Sequence, residues 1–100
     1  MTLKEMVEHC LKTYPDTRNS DIKLTNQIWV VYYLDKIKIM DDGYYVKLLD
    51  LYDLPREDNV KRIRATFQND RGLYLPTDPK VLKQRRLLES QWREELGYKP

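Results

Sequence analysis

The sequence predicts an all-α fold of about five helices, organised around a helix-turn-helix. Apolar residues recur at helical spacing in most of the chain, and caps, prolines and glycines separate these stretches. In addition, a tight turn joins two of the stretches. The length of 100 residues and the hydrophobic fraction of 41% fit one domain, residues 1–100, with a modest core.

The first predicted helix, 2–14, has the clearest boundaries. Thr2 and Glu5 form a capping-box pattern, and Pro15 stops the helix at its other end. Apolar residues line one face at spacings of three and four residues. Cys10 lies on this face, and we interpret it as a small buried hydrophobe.

The second predicted helix, 21–35, follows a polar turn and has Asn19 or Ser20 as its cap. Its second half is apolar nearly all round, so we expect this helix to be the central core element. The β-branched and aromatic run IWVVYYL leaves a strand as the alternative. Part of this run would also suit an interface with a partner protein.

The helix-turn-helix is predicted between residues 44 and 72, after a connector, 36–43, that allows a short extended piece. Asp41 or Asp42 would cap a first helix over 44–51. The turn 52–55 ends at a proline, and the second helix runs from residue 56 or 57 to Gly72, a C-terminal stop signal. From the first helix, Tyr45, Leu48, Leu49 and Tyr52 would face inwards.

The second of these helices is the candidate recognition helix. Val60, Ile63 and Phe67 form a narrow apolar stripe. Lys61, Arg64, Ala65 and Gln68 would share one outward face. That face offers cations for phosphates and an amide for a base edge, which is the chemistry of DNA recognition. A solvated charged face of a soluble protein is the alternative interpretation.

The last predicted helix runs from Pro79 to about residue 96, with Thr77 or Asp78 as cap and Gly97 as stop. Trp92 would anchor it in the core. The stretch 73–76 before it is apolar and extended, where a winged-helix domain carries its wing; a wing here would be vestigial.

Charge is distributed unevenly along the chain. Residues 1–53 carry seven Lys/Arg against nine Asp/Glu, whereas residues 54–100 carry eleven against seven. The basic half holds the candidate recognition helix, so we expect double-stranded DNA as the partner. The predicted DNA-contacting residues are Arg56, Lys61, Arg62, Arg64, Gln68, Lys80, Lys83, Arg85 and Arg86.

The order VKRIRATFQNDRGLYLPTDPKVLKQRR resembles a group of small helix-turn-helix or winged-helix-like proteins of bacteriophages. The matching residues are Val60, Arg62, Arg64, Ala65, Gln68, Gly72, Tyr74, Pro76, Asp78, Pro79 and Val81. The upstream turn YPDTRNS is similar too, so the resemblance covers most of the chain. It implies phage origin and DNA binding, hence a regulatory role in transcription, and no catalytic residue. Arg56 stands where a Ser or Thr cap is expected.

A protein–protein interaction module, such as an inhibitor or adaptor of a host protein, is the alternative function. Eight tyrosines and two tryptophans in 100 residues favour it, because aromatic residues are enriched at interface hot spots. The predicted interface residues are Trp29, Tyr32, Tyr33, Tyr44 and Tyr45. A homodimer is expected to suit either function, since pairing doubles a small binding site.

An enzyme is the class that the sequence favours least. The single histidine, His9, has no partner at helical spacing, and the three glycines form no phosphate-binding loop. Asp41, Asp42, Asp50 and Asp53 are acidic enough for Mg²⁺, but caps and solvated charges explain them better. We therefore expect no cofactor and no metal. With no apolar span, no signal peptide and one cysteine, we expect a cytoplasmic protein without membrane contact.

Overall fold

The structure, a computed structural model, describes residues 1–95, apart from the side chains of residues 89 and 92–95. Four α-helices and one antiparallel hairpin make up most of it, which confirms a mainly helical class. The elements are α1 (Leu3–Thr13), α2 (Asp21–Tyr32), β1 (Ile37–Met40), β2 (Gly43–Val46), α3 (Glu57–Ala65) and α4 (Pro79–Glu95). The stop at Gly97 and the core role of Trp92 lie outside the described residues.

Helix α1 begins as its capping box predicts. The Thr2 hydroxyl accepts a hydrogen bond from Glu5 N at 3.2 Å, and the Glu5 carboxylate accepts one from Thr2 N at 3.3 Å. The Thr2 hydroxyl also donates a hydrogen bond to the Glu5 carboxylate, and this bond lowers the pKa of Glu5. A 3₁₀ turn, Pro15–Asn19, follows the helix and leads into α2.

Helix α2 begins at the predicted cap, because the Ser20 hydroxyl accepts from Lys23 N at 3.3 Å. Leu24 and Ile28 are buried and belong to the apolar core. The C-terminal end of α2 is only partly covered, and Val31 is exposed. The prediction that this helix is a core element is therefore confirmed, although its apolar second half is not buried on every side.

The chain between α2 and α3 forms a hairpin, not the first helix of a helix-turn-helix. β1 pairs antiparallel with β2, from Ile37 opposite Val46 to Met40 opposite Gly43. The two residues left in the turn are Asp41 and Asp42, so neither caps a helix. Tyrosine and valine favour strands, and an Asp-Gly sequence favours a tight hairpin turn. The predicted helix 44–51 is wrong, and its inward-facing residues Tyr45, Leu48, Leu49 and Tyr52 are exposed.

Helix α3 starts close to the predicted residue, but without a side-chain cap at Arg56. It continues into one wider turn of π-helix, Thr66–Asp70. Gly72 then adopts φ +63°, the left-handed conformation that ends many helices. The apolar stripe of α3 is confirmed: Val60 and Phe67 are buried, and Ile63 packs against them.

Residues 73–78 carry the chain from α3 to α4. They contain no strand, so this part of the described chain forms no wing. The Asp78 carboxylate accepts from Lys80 N at 2.9 Å and caps α4, with Pro79 as the first helical residue. Asn19 holds this cap against the first 3₁₀ turn, since its side chain bonds Thr77 Oγ1 at 2.8 Å and Asp78 N at 3.1 Å.

The core lies where α1, α2 and α3 pack on one another. Its fully buried members are small or medium apolar residues and one phenylalanine. They are Val7, Cys10, Leu11, Leu24, Ile28, Val60 and Phe67. At about 25 cal/mol per Å² of apolar surface removed from water, this cluster is the main stabilising element of the fold. The hairpin lies outside it.

Candidate functional site

A buried ion pair joins α2 to α3. Arg64 contacts the Asp21 carboxylate with two nitrogens, Nε to Oδ1 at 2.9 Å and Nη2 to Oδ2 at 3.1 Å. The side chain of Arg64 is 6% exposed and that of Asp21 16%. This two-point geometry is the strong form of an arginine–carboxylate contact. Asp21 lies in the first turn of α2, where the helix dipole also favours a negative charge.

Gln68, in the π-turn, lies next to this pair and is fully engaged. Its Oε1 accepts from Arg64 Nη1 at 3.4 Å and from Arg85 Nη1 at 2.9 Å. Its Nε2 donates to the backbone oxygens of Tyr74 at 2.8 Å and Arg18 at 3.4 Å. Two guanidinium groups, one from α3 and one from α4, therefore meet on a single neutral oxygen.

Arg85 is the contact between α4 and this cluster. Its Nη1 also donates to the backbone oxygen of Arg18 at 2.6 Å. Burial lowers the pKa of Arg85, the charge of Arg64 lowers it further, and Asp21 acts in the opposite sense. Because an arginine keeps its proton regardless, the site carries concentrated positive charge.

Arg18 completes what we call the arginine cluster: Arg18, Arg64, Arg85, Gln68 and Asp21. Its Nε donates to the backbone oxygen of Leu11 at 2.6 Å, and its guanidinium lies 5.7 Å from the centre of the Tyr74 ring. The Tyr74 hydroxyl donates to Glu8, which raises the pKa of that tyrosine. Arg18 joins the cluster through its backbone oxygen, whereas Arg64 is the member that contacts the Asp21 carboxylate.

The arginine cluster overturns part of the predicted DNA-reading face. Arg64 and Gln68 are each 5% exposed, so these two side chains cannot enter a DNA groove, whereas Arg85 is only partly covered. They are inside because they bond one another, Asp21 and backbone oxygens. The other predicted DNA-contacting residues are exposed: Arg56, Lys61, Arg62, Lys80, Lys83 and Arg86.

A groove of about 580 Å³ separates α3 from α4. Lys61 and Arg62 line its α3 side, and Arg85 and Leu88 line its α4 side. Asp58 is the acidic residue among its lining side chains. This α3–α4 groove is the place where predicted cations from both helices come together on a surface.

A second surface is apolar and lies after the hairpin. Leu48, Leu49 and Tyr52 are 73%, 81% and 76% exposed, and Leu51 between them is 42% exposed. We call these four residues the leucine surface. Leu48, Leu51 and Tyr52 also line a groove of about 450 Å³. Contiguous apolar exposure of this kind is uncommon in monomeric soluble proteins and marks interaction sites.

Trp29, one of the predicted interface residues, also lines this groove. Its indole Nε1 donates to the backbone oxygen of Pro55 at 2.8 Å and so fixes the ring between α2 and the segment before α3. An aromatic side chain held in place by one hydrogen bond loses little freedom when a partner covers it.

The other predicted interface residues divide into two pairs. Tyr44 and Tyr45 are exposed on β2, and a hydrogen bond to Asp42 raises the pKa of Tyr45. Tyr32 and Tyr33 pack against the core, so they are not free for a partner. The leucine surface was not predicted, because the sequence pattern predicts a helix over 44–51 in which Leu48 and Leu49 face inwards.

The chain gives no lead from similarity. No protein-family model, no curated protein and no solved structure matches it. The resemblance to small phage proteins therefore stays a prediction. Among the side chains that the structure describes, no three of His, Cys, Asp or Glu are grouped so that they could hold a metal. None of the described helices is long and apolar enough to cross a membrane.

Proposed function

We propose that the protein is a protein–protein interaction module that docks the apolar face of another protein on its leucine surface. The observation that carries this proposal is the exposure of Leu48, Leu49 and Tyr52 at the groove that Trp29 lines. Each leucine that a partner covers contributes about 1.5–3 kcal/mol to binding before the costs of association.

A protein suits this surface better than a small molecule. Small ligands bind in cavities that enclose most of their surface. Here the groove continues into side chains that stand outside it, such as Leu49, which does not line it. A flat partner would cover both the groove and these side chains, with Trp29 and Tyr52 as aromatic anchors near the centre.

The test compares capture of partners by three forms of the full chain. Nuclease-treated lysate of the cell in which the protein acts is passed over wild type, the pair L48D/L49D, and the control pair L87D/L88D on α4. The control residues are also leucines, exposed by 57% and 56%. We expect wild type and control to retain the same protein and L48D/L49D to lose it, with affinity at least about tenfold weaker.

Equal capture by all three forms would contradict the proposal. Light scattering on the same three samples adds a second reading. If wild type is a dimer and L48D/L49D is a monomer, the partner on the leucine surface is a second copy of this chain, as expected for an isologous interface.

Nucleic-acid binding is the second candidate, and the α3–α4 groove favours it. Lys61, Arg62 and Arg85 line this groove, and the arginine cluster behind it adds positive charge. We propose contact with the phosphate backbone only, since Gln68 has no free amide group for a base edge. Such binding is weakly selective and strongly salt-dependent.

A labelled duplex titrated at two salt concentrations tests this candidate. Each phosphate that a cation neutralises adds about 0.9 to the slope of log K against log salt. We expect K61E/R62E to weaken binding and flatten this slope. K38E/K47E, which makes the same charge change on exposed residues outside the groove, is the control. Equal weakening by the two pairs would show that only net charge matters and would remove the groove from the proposal.

A further inference from the structure

We propose that the pocket between the π-turn and α4 binds an oxyanion, either a phosphate group or a carboxylate. This pocket, of about 240 Å³, is separate from the leucine surface and from its proposed protein partner. Its polar lining is Gln68 and Asn69 on one side and Arg85 and Arg86 on the other. We call it the Arg85–Arg86 pocket.

The first argument is the unbalanced charge beside the pocket. Arg64 and Arg85 both donate to Gln68 Oε1, at 3.4 and 2.9 Å, so two like charges lie close together. Asp21 accepts two hydrogen bonds from Arg64. Among the described side chains, no carboxylate lies within 4 Å of Arg85. The single carboxylate of Asp21 faces the two guanidinium groups of Arg64 and Arg85, so an anion near Arg85 would offset the part of their repulsion that Asp21 does not.

The second argument is that Arg85 has donors to spare. Its two hydrogen bonds to described residues both use Nη1, and both acceptors are neutral oxygens. The Arg85 side chain also lines the pocket, and among the described residues none accepts a hydrogen bond from its Nε or Nη2. This edge of a guanidinium matches the two oxygens of a phosphate or carboxylate.

The pocket supplies further groups of the same kind. Arg86, the next residue on α4, is exposed and brings a second cation. The exposed Asn69 amide adds a neutral donor. Leu82 and Pro76 form an apolar part of the wall. A cation pair, an amide and an apolar wall together form a site for a small, strongly charged oxyanion.

The test is a titration of the full chain with inorganic phosphate at constant ionic strength, with chloride as the exchanged ion. Backbone amide and arginine Nε resonances report the binding site. We expect saturable shifts confined to residues 68–72 and 82–86, and a rise in the thermal midpoint that follows the same saturation.

Two single variants on α4 show whether the pocket is responsible. Arg86→Gln removes a cation that lines it, and we expect affinity to fall about tenfold, as for loss of one charged hydrogen bond. Lys83→Gln removes an exposed cation that does not line it and is expected to leave affinity unchanged. Arg86 is exposed, so its replacement does not endanger folding; a matching circular dichroism spectrum would verify this.

The source of the anion follows from two further arms. Acetate in place of phosphate tests a carboxylate, and a short duplex tests the phosphates of a nucleic acid. Phosphate binding without acetate binding assigns the pocket to phosphate groups, and binding of both assigns it to oxyanions in general. Shifts that do not saturate, or that Arg86→Gln and Lys83→Gln change equally, would overturn the proposal. Because no arm involves the leucine surface, failure here leaves the protein-docking proposal standing.

Discussion

The arginine cluster and the leucine surface differ from expectation in opposite ways, because polar side chains are buried in the first and apolar side chains are exposed in the second. In the helical part, Arg64 and Gln68 are almost completely buried. After the hairpin, Leu48, Leu49 and Tyr52 are almost completely exposed. The contrast shows that polarity alone does not decide burial. A polar group can be buried once every donor and acceptor has a partner, and an apolar group stays outside when no element covers it.

The physical reason lies in what surrounds each region. Around the arginine cluster, α2, the turns that flank it and α3, and the connector to α4 bring an aspartate, an amide and two backbone oxygens within bonding distance. The hairpin has two strands and no third layer, so only Ile37 at its base is buried. A two-stranded hairpin is marginally stable alone, and a bound partner would complete it.

The largest expected effect comes from breaking the ion pair on one side. Arg64→Ala leaves the Asp21 carboxylate without its two hydrogen bonds and Gln68 with one donor fewer. We expect the free energy of unfolding to fall by about 3–5 kcal/mol, because a buried charge loses its partner. Urea denaturation measures this.

The matched control is Arg62→Ala, an exposed arginine two residues earlier on the same helix. Its effect should stay within about 0.5 kcal/mol. Equal losses for the two variants would contradict the burial of Arg64 and return that residue to the surface, where the sequence analysis placed it.

A leucine-to-alanine pair compares the two regions directly. Leu24 is fully buried between helices, whereas Leu49 is 81% exposed. Leu24→Ala is expected to cost about 2–5 kcal/mol through lost contacts and a cavity. Leu49→Ala is expected to cost less than about 0.5 kcal/mol. A large loss at Leu49 in urea unfolding would mean that the isolated chain already covers the leucine surface.

The pH dependence of stability tests the helical core through Cys10. Burial raises the pKa of its thiol from 9.0 to about 11. The unfolded chain therefore loses this proton first as the pH rises, so stability is complete below pH 9 and declines between pH 9 and about 11. We expect a loss of about 2 kcal/mol by pH 11, relative to Cys10→Ala.

The comparison with Cys10→Ala is needed because other groups titrate in the same range. The pKa of Tyr45 and Tyr74 is raised as well, and their contributions remain in the variant. Burial raises the pKa of Tyr32 and the Cys10 thiolate raises it further, so the comparison measures Cys10 together with its effect on Tyr32. A difference between the two proteins that does not change from pH 8 to pH 11 would contradict the buried position of the thiol.

Local signals in the sequence predicted four helix ends correctly. The capping box at Thr2, the hydroxyl of Ser20, the glycine at position 72 and the proline at position 79 each mark a helix end in the structure. Such signals work because the cap and its partner lie within a few residues of each other, so no tertiary information is needed.

The same kind of signal was present at the hairpin and was weighed wrongly. Asp42-Gly43 between alternating and aromatic residues indicates a tight turn between strands. A short apolar run fits both a helix and a strand. The helix interpretation makes Asp41 or Asp42 an N-cap, whereas both residues form the turn of the hairpin. This one error moved Leu48, Leu49 and Tyr52 from the surface to the interior and hid the candidate docking site.

The arginine cluster was beyond what spacing can predict. Arg64 follows Val60 by four residues, so it lies beside the apolar stripe and can point either inwards or outwards. Its partner Asp21 lies 43 residues away along the chain. A contact of that separation depends on how α2 and α3 pack, which periodicity does not record.

We expect the smallest effect on stability from substitutions in the leucine surface itself. Leu48→Asp/Leu49→Asp introduces two charges at side chains that are 73% and 81% exposed. The unfolding free energy of the isolated chain should stay within about 0.5 kcal/mol per substitution, since neither side chain loses a packed environment.

The comparison variant is Leu11→Asp, which places a charge in the fully buried core and should prevent folding. If the double variant folds as stably as wild type yet fails to retain the partner, the leucines act in binding and not in folding. A loss of several kcal/mol in the double variant would instead assign these side chains to the fold and end the case for a docking surface.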